Sequence, residues 1–110
     1  MKRRIFAAAI FLCLVLVLLP WAQAAGESYV ALGDSITTGY GLNVNEGEKG
    51  FAKQIAESQG YTLQNLAENG ATSDTLLNSL SKSSTLSAIE GADVITITIG
   101  GNDLMNALYA

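Results

Sequence analysis

The 110-residue chain has no histidine, one cysteine, one proline and one tryptophan, and its formal net charge is −4. Histidine is the side chain most often used as a general base near neutral pH, so its absence removes the commonest catalytic base. It also excludes every His-based zinc site. A lone Cys13 excludes an intrachain disulfide and a Cys-Cys metal clamp. Basic residues are scarce: Lys2, Arg3 and Arg4 stand at the start, and only Lys49, Lys53 and Lys82 follow. A nucleic-acid-binding surface needs clustered Lys and Arg, so no nucleic-acid partner is expected. The length admits at most one modest domain.

What is present divides into two segments. After the basic start comes an unbroken apolar run, Ile5 to Leu19, then Pro20, Trp21 and Ala22-Gln23-Ala24. Basic region, apolar region and small-x-small site are the parts of a secretory signal peptide. Pro20 cannot continue a helix and leaves the chain extended where a peptidase binds. Residues 1–24 are therefore expected to be a signal peptide cleaved after Ala24, with export as the consequence and 25–110 as the mature domain. The competing reading is an uncleaved membrane anchor, since with Trp21 and Ala22 the run approaches the ~18 residues of a spanning helix. Membrane contact is expected only through this segment. Cys13 sits inside the run and reads as leader packing. Beyond Ala24, three lysines stand against ten acids, a net charge of −7, and neither Arg nor Cys remains. Such an exported domain does not rely on disulfides.

Residues 25–110 read as alternating strands and helices. Ser28 to Leu32 reads as a short strand ended by Gly33, and a Gly- and Asn-rich loop follows from Thr37 to Gly50. Phe51, Ala52, Ile55 and Ala56 recur at helical spacing, with Gly60 as the helix-ending residue. Tyr61, Leu63 and Leu66 suggest a second strand. Thr72 or Ser73 can cap a helix whose expected buried stripe is Leu76, Leu77 and Leu80. Ser81 to Thr85 reads as a polar connection. Asp93 to Ile99 is the clearest strand, β-branched from Val94 onward, with Thr96 and Thr98 as sheet residues. Leu104 to Tyr109 looks like the start of another helix. This order argues for an α/β fold with a parallel sheet and covering helices.

Three polar breaks follow the three strands: Gly33-Asp34-Ser35, Asn69-Gly70 and Gly101-Asn102-Asp103. In a parallel sheet all carboxyl ends lie along one edge, where open α/β sheets bind ligands. Ser35 offers a hydroxyl nucleophile. The N–H groups of Ser35 and Gly70, with the Asn102 side-chain amide, can face a developing oxyanion, and glycine lets backbone approach a ligand closely. Other readings stand beside these: Ser35 as a turn or N-cap residue, Gly70 as a positive-φ turn residue, and Asn102 as a helix cap. Tyr40, Leu42 and Phe51 suit either an acyl pocket or ordinary packing. Asp34 and Asp103 as Mg²⁺ ligands make a weak signal; no metal or cofactor is expected. The α/β-hydrolase elbow G-x-S-x-G, the dinucleotide fingerprint and the P-loop are all missing.

Taken in order, Gly33-Asp34-Ser35-Ile36-Thr37, Asn65 to Ser73 and Ile99-Gly100-Gly101-Asn102-Asp103 resemble the first three blocks of the SGNH, or GDSL-type, hydrolases. The resemblance covers residues 28–106. It implies a flavodoxin-like three-layer α/β/α fold, esterase, lipase or acylhydrolase activity on lipid, thioester or acetylated-sugar substrates, and Ser35 as nucleophile. Gly70 and Asn102 would complete the oxyanion hole; Gly33, Asp34, Gly101 and Asp103 would support it. The family's fourth block, Asp-x-x-His, carries the triad acid and base, and nothing here matches it. The chain stops at Ala110 inside an expected helix, which reads as the N-terminal half of such a domain. The competing reading is a short protein that has lost catalysis and binds a carbohydrate or lipid.

Overall fold

A computed structural model describes residues 26–110; the expected signal peptide, 1–24, and its cleavage point after Ala24 lie outside the described residues. The elements are β1 (Ser28–Gly33), α1 (Ser35–Thr38), a 3-10 turn (Val44–Glu46), α2 (Phe51–Gln59), β2 (Thr62–Asn65), α3 (Ser73–Ser79), α4 (Ser83–Glu90), β3 (Val94–Thr98) and α5 (Gly101–Tyr109). Among the described residues no helix is long and apolar enough to cross a membrane.

β1 is apolar on both sides of its pleat, and Tyr29 to Gly33 are all buried. A strand covered on both faces is the central strand of a helix-flanked parallel sheet. It occupies that place: the order is β2-β1-β3, and both pairings are parallel. The expected α/β fold is therefore present, and this order is the opening of a flavodoxin-like sheet, whose ligand crevice lies at the β1/β3 switch point.

Tyr29 and Ala31 face α2, where Ala52, Ala56, Phe51 and Ile55 pack on them. Ala52 and Ala56 are four apart, so both small side chains lie on one helix face and let it approach the sheet. The Tyr29 ring meets Tyr61 edge-on at 6.2 Å, and its hydroxyl reaches Thr96 Oγ1 at 2.8 Å. Val30 and Leu32 point to the other face and are equally buried. Burying each such side chain contributes roughly 1.5–3 kcal/mol.

The helix ends follow local chemistry. Gly60 closes α2 at φ 71°, with its N–H bonded to the Ala56 carbonyl. Thr72 is the α3 cap, its Oγ1 accepting the Thr75 N–H at 3.2 Å. Three expectations need correction. Residues 81–85 are not simply a polar connection, because α4 starts at Ser83 and buries Thr85; the run Ser83-Ser84-Thr85 hides a helix whose half-buried contacts, Ala88 and Ile89, come late. Leu77 is 64% exposed, while Leu76 and Leu80 are half-buried, so the α3 stripe narrows to an i, i+4 pair. The last helix begins at Gly101, three residues before the expected start.

Gly33 stands where β1 and β3 come closest. Its φ is 136°, and a Cβ there would lie 2.0 Å from the Thr98 carbonyl oxygen. That oxygen also accepts the Asp34 N–H at 3.0 Å, so β3 cannot withdraw without breaking the bond. Gly33→Ala is expected to destabilise the fold by about 3 kcal/mol or more, from backbone strain together with the clash. A denaturant midpoint within error of the parent would contradict this.

Candidate active site

The carboxyl end of β1 turns directly into α1. Asp34 is the α1 N-cap, and its Oδ1 accepts the Ile36 N–H at 3.0 Å. Ser35 is therefore not the cap but the first residue of the helix, half-buried, with its hydroxyl in none of the hydrogen bonds between described residues. Its carbonyl accepts from Thr38 Oγ1 at 3.1 Å.

Asp34 is buried and tied to β3 as well. Thr98 Oγ1 donates to Asp34 Oδ1 at 3.3 Å, and Thr37 Oγ1 lies 2.6 Å from Thr98 Oγ1. With its one proton given to Asp34, Thr98 accepts from the Thr37 hydroxyl, which also lies 3.4 Å from the Leu32 carbonyl. Gly101 sits over the other oxygen, where an added Cβ would be 3.7 Å from Asp34 Oδ2. Thr98 is thus more than a sheet residue. The register Gly33↔Thr98 sets it beside the first break, and nothing in a single strand's pattern reveals that partner.

The second break continues the sheet before turning. Leu66 N–H bonds to the Ala31 carbonyl at 2.8 Å and Glu68 N–H to the Gly33 carbonyl at 3.0 Å. Gly70 follows in an exposed turn at φ 77°. Its N–H enters no backbone hydrogen bond among the described residues. The positive φ bears out the reading of Gly70 as a turn residue.

The third break is bound to the second. Asn102 lies in the first turn of α5, whose N-cap is Gly100, so it is not a cap. Its Nδ2 donates to the Ala71 carbonyl at 2.8 Å. A side-chain amide has two N–H donors, and one remains for a ligand. Asp103 takes the Ser73 N–H at 2.9 and 3.1 Å and the Ser73 hydroxyl at 2.5 Å. The two carboxylates proposed as a Mg²⁺ pair thus turn to different donors. Among the described residues no three acidic, Cys or His side chains gather as a cation would need.

The Ser73 hydroxyl, and then its N–H, hold the Asp103 carboxyl below its ordinary value. A depressed folded-state value means that the stabilisation is complete above the ordinary carboxylate value and is lost as pH falls through the depressed one. Asp103→Asn is therefore expected to be less stable than the parent at neutral pH, with the gap closing below about pH 4. Urea titrations across pH check this, and a pH-independent gap would overturn the assignment.

Beside α1 lies a cavity of about 220 Å³ lined by Thr37, Thr38, Leu42, Lys53, Leu63 and Asn65, among others. Leu42 is thus on its wall. Tyr40 is 75% exposed, and Phe51 packs against the Tyr29 core.

The model of the GDSL-like Lipase/Acylhydrolase family matches residues 31–109. Esterase TesA of Pseudomonas aeruginosa is 32% identical over 91 residues, 83% of this chain and 44% of that protein. Spore germination lipase LipC of Bacillus licheniformis is 34% identical over 86 residues, 73% of this chain and 40% of that one. The crystal structure of the lipase Lip_vut3 from a goat rumen metagenome superposes with a TM-score of 0.63 at 34% identity, covering 76% of this chain and 41% of that one. The chain spans less than half the length of the curated relatives it matches.

Proposed function

The chain belongs to the GDSL-like lipase/acylhydrolase family, and from that premise we propose that the whole protein is an exported serine esterase with Ser35 as its nucleophile. Ser35 attacks the ester carbonyl, the carbonyl oxygen becomes an oxyanion, and the alcohol leaves to give an acyl-enzyme. Water then hydrolyses that acyl group. The Ser35 N–H, the Gly70 N–H and the second N–H of Asn102 receive the oxyanion. Gly33, Asp34 and Asp103 support these groups through the bonds described above, and Gly101, lying over Asp34 Oδ2, supports them by leaving room for that carboxylate.

The observation that carries this reading is the gathering of three sequence-distant breaks at one sheet edge, joined by Asp34–Thr98, Asn102–Ala71 and Asp103–Ser73. A base is still needed to take the Ser35 proton, and these 110 residues contain no histidine. We assign that role to residues of the whole protein outside this stretch. Two features support a larger fold. Ile95 and Ile97 on β3 are 43% and 55% exposed, and Leu104 and Leu108 on α5 are 60% and 67% exposed; in a full doubly covered sheet such residues are buried. The leader, residues 1–24, is the export signal. The substrate is an ester of a small molecule, lipid or sugar, with no cofactor, and residues 25–110 alone turn none over.

The test is hydrolysis of a short-chain aryl ester by the product of the full reading frame, expressed without residues 1–24, beside its Ser35→Ala variant. Activity that Ser35→Ala abolishes supports the reading. A protein that binds an acylated sugar or lipid but hydrolyses no ester would replace it with a binding function.

A further inference from the structure

Gly70 has no side chain, and a Cβ placed there would meet nothing within 4 Å. Packing therefore does not hold this residue, and its position depends on its two neighbours. On one side, Ala71 is 4% exposed and its carbonyl is bound by Asn102. On the other, the Asn69 side chain lies 2.5 Å from Thr38 Oγ1. That same hydroxyl is 3.1 Å from the carbonyl of Ser35. One oxygen thus spans from the nucleophile residue to the residue before the oxyanion glycine.

A hydroxyl has one proton and cannot donate fully to both Asn69 Oδ1 and the Ser35 carbonyl. The 2.5 Å separation is that of an O–H···O bond, so Thr38 donates to Asn69 Oδ1, and the Ser35 carbonyl at 3.1 Å is a second, weaker acceptor of the same proton. Asn65 reinforces the same junction: its Nδ2 donates to the Thr37 carbonyl at 2.8 Å, and its Oδ1 accepts the Ala67 N–H at 3.1 Å.

We propose that Thr38 and Asn69 are a positioning pair that sets the Gly70 N–H relative to Ser35. The inference rests on the esterase reading above for its consequence in catalysis. Catalytic groups must be held within roughly 0.5 Å of the productive geometry, and a 1 Å misplacement can cost about 10² in rate. In the full-reading-frame protein, Thr38→Val is expected to lower kcat about 10- to 100-fold with KM within about twofold. Thr38→Ser, which keeps the hydroxyl, should retain the parent kcat. Asn69→Ala should match Thr38→Val, and the double variant should be no worse than either, as for two members of one interaction. A Thr38→Val enzyme with lower thermal stability but unchanged kcat would reduce Thr38 to a structural role and overturn the proposal.

Backbone ¹⁵N order parameters give a readout independent of turnover. Those of Asn69 and Gly70 should fall in Thr38→Val and recover in Thr38→Ser. If they do not move, the pair does not hold Gly70. If they move as expected while the parent protein hydrolyses no ester, the esterase reading falls and the hold on Gly70 stands.

Discussion

In the full-reading-frame protein, Ser35→Ala is expected to lose about 10⁶ in kcat toward a short-chain aryl ester, the size of loss seen when a serine protease loses its nucleophile. The loss is large because covalent catalysis replaces one difficult step by two easier ones, and alanine offers no atom to form the acyl bond. What rate survives comes from the oxyanion donors and from binding, which alanine leaves in place. The fold should barely register the change. The Ser35 hydroxyl takes no part in the bonds that hold α1: the Asp34 cap uses the Ile36 N–H, and Thr38 uses the Ser35 carbonyl. Stability is therefore expected within about 0.5 kcal/mol of the parent. Ester turnover and a denaturation curve on the same preparation check both halves. A variant that keeps more than about 1% of the parent rate is incompatible with Ser35 as nucleophile, because residual catalysis in such sites is orders of magnitude smaller.

Asn102→Ala should have the second-largest effect, a fall in kcat of about 10²–10³, the measured worth of one oxyanion donor. KM should change little, because the donor meets charge that develops only in the transition state. Asn102 also ties Ala71 to α5, so truncation costs a hydrogen bond of about 1 kcal/mol as well. The two roles separate by measurement. If Asn102 were only a tie, Asn102→Ala would unfold more easily and keep its kcat. Asn102→Asp sharpens the contrast. An ionised carboxylate has no donor, and it would set one oxygen against the Ala71 carbonyl and another against the oxyanion. Its kcat loss should at least equal that of alanine, and an Asn102→Asp enzyme faster than Asn102→Ala would argue against an oxyanion role.

Both predictions concern groups whose identity was readable in the linear chain, whereas their support was not. Gly33-Asp34-Ser35 and Gly101-Asn102-Asp103 announce themselves as polar breaks after apolar strands. The pairings that hold them do not: Thr98 with Asp34, Ala71 with Asn102, Ser73 with Asp103 and, for the second break, Asn69 with Thr38. These pairs lie 64, 31, 30 and 31 residues apart. Each partner is a Thr, Ser, Ala or Asn, of a kind common in any sheet or turn.

The sequence by itself determined the alternation of the three strands with helices, the parallel α/β class, the α2 end at Gly60, the start of α3 at Thr72 or Ser73 and the three polar breaks that follow the strands. Those features depend on residues within a turn or two of each other, and the periods of 2 and 3.6 record them directly. Only the tertiary structure decided the β2-β1-β3 order, the register that sets Thr98 beside Gly33, the exposure of Leu77 and the presence of α4 behind a polar run. Those depend on which surfaces meet after the chain crosses over. A strand's alternation states that it has two faces but not which neighbour lies beside it, so the bonds Asp34–Thr98, Asn102–Ala71 and Asp103–Ser73 exist only once β2 and β3 have paired with β1.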